Sequence, residues 1–126
     1  MKNLVKAVAG AAAGLSLLIA PSAQAGTVDL ELQLLVDVSG SISSSEFDLQ
    51  RDGYAAAFQS AAVKNAIANG AIGSIAVQLV YWSTSAAVAV DWYEISDAAS
   101  ADAFAALVAA APRSSSGNTA PGTAIN

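Results

Sequence analysis

Cysteine and histidine are both absent from the 126 residues. Without cysteine there is no disulfide, no thiolate nucleophile and no iron–sulfur cluster. Without histidine there is no Ser-His-Asp triad, no imidazole base and no histidine-ligated zinc. Charge is sparse: 12% of residues carry it, 5 Lys+Arg against 10 Asp+Glu, for a net −5. Such an acidic chain repels nucleic acid and anionic lipid. What abounds is apolar, at 55%. The length suits one small domain.

The first 25 residues read as an address. Lys2 and Lys6 give a basic start, an apolar run covers Val8 to Ala20, and Pro21 to Ala25 ends in a small-x-small pattern. That is the layout of a secretory signal peptide, with cleavage expected after Ala25. The run is short for a membrane span, which needs roughly 20 residues, so no transmembrane segment is expected in the mature part. Its removal leaves three basic residues, Arg51, Lys64 and Arg113, against the same 10 acids, a formal charge of −7. The expected destination is exported: periplasm, exterior or cell surface. A cysteine-free chain needs no oxidative folding there.

Residues 28–38 alternate apolar and polar and then turn continuously apolar, as a strand does when it enters a buried parallel sheet. The strand ends in Asp37-Val38-Ser39-Gly40-Ser41. Ser43 and Glu46 have capping-box spacing, so a helix should follow. Its expected inward stripe is Phe47, Tyr54, Phe58 and Ala61 or Ala62. Gly53 weakens its middle, and Asn69-Gly70 ends it or a second short helix. Ile75 to Trp82 reads as a second strand. Ala87 to Tyr93 reads as its antiparallel partner at the sheet edge. Ser96 or Asp97 caps another helix, with Phe104, Leu107, Val108 and Ala111 facing inward and Pro112 stopping it. A polar loop follows, Arg113 to Thr123. The order predicts an α/β fold with a mostly parallel sheet.

Ligands of open parallel sheets bind off the carboxyl ends of the strands. Asp37, Ser39 and Ser41 stand there, and the loop carrying Thr119 should reach the same edge. One carboxylate and three hydroxyls, with no nitrogen or sulfur, suit Mg2+ or Mn2+. Asp, Ser and Gly after a strand are also ordinary turn and cap residues. The residues alone leave both readings open. Tyr81, Trp82, Trp92 and Tyr93 read as cross-strand packing in the hairpin. Asp48 and Asp52 read as a solvated face with no partner, and Glu46 as a cap.

Leu34 to Ser41 resembles the opening of von Willebrand factor A-type (vWA) domains. Gly117 to Ile125 is similar to their second metal loop, and Val77 to Ser83 to their second strand. Leu49 to Ala55, Asp91-Trp92 and Ala111-Pro112-Arg113 resemble a bacterial family of exported vWA-like proteins of undefined function. The resemblance implies a Rossmann-like vWA fold over residues 26–126, with the C-terminal half of the domain absent. It implies a metal-ion-dependent adhesion site with Asp37, Ser39, Ser41 and Thr119 as ligands, Asp37 through water. The family's last acidic ligand would then lie beyond Asn126. The implied function is not enzymatic: a metal-dependent adhesion module whose protein partner supplies a carboxylate to Mg2+ or Mn2+. Pro121 stands where many members have a second Thr.

Two other classes compete. One is a scaffold that keeps the fold and holds no metal. The other is an aspartyl-phosphate phosphatase with Asp37 as nucleophile. Ser39 stands where that family has its acid–base Asp, and a hydroxyl does not replace a carboxylic acid in that role. A serine hydrolase lacks both G-x-S-x-G and a base.

Overall fold

A computed structural model describes residues 26–114 and 116–125. Residues 1–25, where a signal peptide is expected, lie outside the described residues. The elements are β1 (Leu30–Asp37), α1 (Ser44–Gln59), α2 (Ala61–Ala68), β2 (Ile75–Trp82), β3 (Ala86–Ile95), α3 (Ala98–Ala110) and a 3-10 turn, Pro121–Thr123. The sheet order is β1-β2-β3, with β1 parallel to β2 and β3 antiparallel to it. This is the expected α/β class, a parallel pair with an antiparallel edge strand.

Parallel register places Leu32, Leu34 and Val36 beside Val77, Leu79 and Tyr81. These alternate positions share one face of the sheet, and α1 and α3 cover it to form the core. Phe104 of α3 is fully buried. It meets Phe58 of α1 edge-on at 4.8 Å and Tyr93 of β3 at 5.9 Å. Phe47 meets Tyr81 edge-on at 5.4 Å. On the opposite face a polar belt crosses all three strands. Gln33 Nε2 donates to Gln78 Oε1 at 2.7 Å, and Gln78 Nε2 donates to Asp91 Oδ1 at 3.2 Å.

The caps follow the local sequence. Ser43 and Glu46 close the capping box of α1, and Asp97 with Ser100 closes that of α3. Each such cap contributes about 1 kcal/mol. α1 runs unbroken through Gly53, where a side chain would meet nothing within 4 Å.

Several expectations are corrected. Ala61 and Ala62 do not extend the α1 stripe. Ser60 is extended (φ −68°, ψ 144°), ending α1 and capping α2. Its Oγ donates to Ala57 O at 2.7 Å and accepts from Val63 N at 3.3 Å. Leu107 is 45% exposed, whereas Ala101 and Ala105 are buried. α3 therefore turns small residues inward and lies close to its neighbours. The hairpin aromatics do not pair across strands. Tyr81 faces Ala87 and Tyr93 faces Val77 in the register, while Trp92 is 48% exposed. Asp48 and Asp52 share Arg51, at 3.2 and 3.0 Å.

One organising carboxylate escaped the sequence reading. Asp29 accepts from Ile72 N at 2.9 Å and from Gly73 N at 2.7 Å, tying the start of β1 to the loop before β2. Gly73 has φ +82°, a left-handed conformation that glycine adopts without strain. A side chain at Gly70 would overlap the Asp29 carboxylate.

Among the described residues, three carboxyls stand below their ordinary values. Hydrogen bonds from the Ile72 and Gly73 amides lower Asp29, the Ser43 amide and hydroxyl lower Glu46, and the Ser100 hydroxyl and amide lower Asp97. A carboxyl lowered on folding binds fewer protons in the native state, so it adds stability above its unfolded value. That stability should be complete above about pH 5 and fade as pH falls through the folded values. Melting curves from neutral to acid pH are expected to drop through that window, and less steeply in Asp29→Asn. A melting temperature independent of pH there would contradict the assignment.

Candidate metal centre

β1 delivers Asp37 to the carboxyl edge of the sheet. Val38 N donates to Trp82 O at 2.9 Å, so the chain stays paired for one residue past the strand. The loop then tightens. Ser39 N donates to Asp37 Oδ1 at 2.7 Å and Ile42 N donates to Ser39 O at 3.0 Å. The α1 capping box holds the loop's far end. Residues 37, 39 and 41 thus belong to one short, well-tied turn.

The second loop comes from the far end of the chain and is carried by the β2–β3 hairpin. Asn118 N donates to Thr84 Oγ1 at 2.8 Å and Ala120 N donates to Ser83 O at 3.2 Å. A side chain at Gly117 would overlap Thr84 Oγ1, so glycine permits this approach. Gly117 O accepts from Gly40 N at 2.7 Å, joining the loops by their backbones.

That join brings the hydroxyls together. Thr119 Oγ1 donates to Ser39 Oγ at 3.1 Å, and Ser39 Oγ lies 3.4 Å from Ser41 Oγ. Ser39 is fully buried, while Ser41 and Thr119 are exposed. Adjacent ligands of an octahedral Mg2+, each at 2.0–2.1 Å, lie about 2.9 Å apart. The observed spacings need only a small contraction to match. Neutral hydroxyls with one carboxylate are hard donors that suit Mg2+ or Mn2+, so the donor set fits such an ion.

Asp37 contributes differently. One of its oxygens already holds the Ser39 amide, so the carboxylate also braces the turn. Among the described residues no group of three or more acidic, histidine or cysteine side chains could hold a metal. Asp37 is the lone charge in the donor set.

The sequence reading did not identify two supports. Thr84 holds the second loop as described. Arg113 Nη2 donates to Val38 O at 2.8 Å and to Ser39 O at 2.9 Å. Both act on backbone atoms distant in sequence, which no local pattern signals.

A family model described as a protein of unknown function, DUF1194, matches residues 27–126, and the chain belongs to that family. No curated protein and no solved structure matches the chain.

Proposed function

We propose that this DUF1194 chain is an exported binding module that holds Mg2+ or Mn2+ on Asp37, Ser39, Ser41 and Thr119 and docks a protein partner there. The observation that carries the reading is that Ser39 Oγ lies 3.1 Å from Thr119 Oγ1 and 3.4 Å from Ser41 Oγ, although Ser39 and Thr119 are eighty positions apart. The likeness of both loops to the vWA pattern supports it and suggests the mode of docking. A bound divalent ion would supply a Lewis-acidic position for a partner's carboxylate. Ser41 and Thr119 are exposed, so a partner can approach from their side. The Asp37 carboxylate supplies charge, and the hydroxyls orient the shell without neutralising the ion. Export is supported by the leader pattern in residues 1–25. Among the described residues no helix is long and apolar enough to cross a membrane.

A metal-free scaffold has one observation in its favour: Asp37, the lone carboxylate of the set, is already engaged with the Ser39 amide. The phosphatase reading has none, since Ser39 offers a hydroxyl bonded to two others where a proton-donating acid is required.

Thermal melts of the chain in chelator and in rising Mg2+ separate the two readings. A ligand that binds only the folded state stabilises it by about 2.7 kcal/mol at a hundred times its Kd. The melting temperature should therefore climb with Mg2+ and fall back with chelator. Thr119→Ala should shift the midpoint to higher Mg2+. A melt indifferent to Mg2+ and Mn2+ would leave the metal-free scaffold.

A further inference from the structure

We propose that Arg113 is a positioning residue that clasps the two loops together, an inference that rests on reading Asp37, Ser39, Ser41 and Thr119 as ligands. The residue belongs to both sides of the join. Its backbone follows α3, whose end is fixed by Ala111 N donating to Val108 O at 3.1 Å. From there the chain runs into Gly117 and Thr119. Its side chain reaches the other way, and one terminal nitrogen donates to two consecutive carbonyls, Val38 O and Ser39 O. Those peptides lie between Asp37 and Gly40. With both carbonyls held, the Ser39 side chain has its direction set, and Gly40 N stays aimed at Gly117 O.

The surroundings show that packing alone does not account for an arginine here. Its Nε is buried and has no hydrogen-bond partner among the described residues. A buried donor left unpaired costs stability. A second guanidinium, Arg51, stands 5.6 Å from the centre of the Phe47 ring that Arg113 itself covers at 5.7 Å. Two cations thus share one aromatic ring. An apolar side chain would fill the space without an orphaned donor or like charge. What it could not supply is the paired donation to the turn or the attraction of the guanidinium to the Phe47 ring. Lysine has a shorter reach and a point charge in place of the planar fork, so it should reproduce the clasp only in part.

Arg113→Met and Arg113→Lys test this, with two readouts that general stability does not move together. The first is Mn2+ affinity, from the electron paramagnetic resonance signal of free Mn2+. The second is hydrogen exchange in chelator at the Gly40 amide, with the Leu79 amide in β2 as control. Arg113→Met should bind Mn2+ about tenfold more weakly, as loss of roughly one net hydrogen bond implies. Gly40 exchange should speed up while Leu79 stays slow, and Arg113→Lys should fall between. Wild-type Mn2+ affinity and wild-type Gly40 protection in Arg113→Met would overturn the proposal. If the unsubstituted chain binds no Mn2+, the metal reading fails separately, and Gly40 exchange decides the clasp: faster supports it, unchanged overturns it. If Arg113→Met does not fold, Arg113→Lys is judged by the same two readouts.

Discussion

Phe104→Ala is expected to destabilise the domain by about 3–5 kcal/mol, the usual cost of deleting a buried phenyl ring. The ring is fully buried and joins three elements, meeting Phe58 on α1 and Tyr93 on β3 from its place on α3. Neither neighbour can collapse into the space without giving up its own contacts, so the upper part of the range applies. Small domains have about 5–15 kcal/mol in total. Urea unfolding should therefore show the midpoint falling by a third or more. Leu107→Ala, three residues along the same helix, removes a side chain that is 45% exposed and should cost under about 1 kcal/mol. Equal losses from the two would mean that α3 presents a different face to the sheet.

Asp37→Asn should abolish the response to Mg2+ while leaving the metal-free fold close to wild type. The amide keeps an oxygen for the Ser39 N–H, the bond that braces the turn at 2.7 Å. Shape and the local hydrogen bond survive, and only the charge is lost. Among the four proposed ligands no other group carries one, so what remains is neutral hydroxyls, which bind hard cations weakly. The stabilisation of about 2.7 kcal/mol expected at a hundred times the wild-type Kd should vanish. Differential scanning calorimetry in chelator and in Mg2+ gives both quantities for both proteins. An Asp37→Asn protein that still gains the wild-type increment would remove Asp37 from the site.

How much could be read in advance depended on the range of the interactions. The Ser43–Glu46 box, the Asp97 cap and the β2 boundaries were legible because their signals lie within a few residues. The parallel pairing of β1 with β2 was legible because an apolar strand, a crossover helix and a second apolar strand permit few arrangements. The inward face of α3 was legible at Phe104, Val108 and Ala111, which are buried, and misplaced only at Leu107. In an alanine-rich helix the face that packs is chosen by close approach as much as by hydrophobicity, and Leu107 drew attention away from Ala101 and Ala105. The hairpin aromatics misled because type was read without register. A bulged β3 sends Tyr93 to the helices and Trp92 to solvent. Arg51 stood between the two aspartates it pairs with, and went unnoticed because the carboxylates were read as a pair. The hydroxyl set was legible from topology, which returns the loop carrying Thr119 to the carboxyl edge of β1, and from the resemblance of the two loops. Asp29, Thr84 and Arg113 were missed for one shared reason: each bonds main-chain atoms, whose positions no side-chain motif encodes.

The separation between Ser39 and Thr119 bears on the order of events during maturation. An unfolded polypeptide holds the two hydroxyls at random distances and offers no assembled set of donors. Only when the hairpin has docked and the Gly40–Gly117 bridge has closed do they stand side by side. Occupancy of this place would then report that both loops have closed on each other.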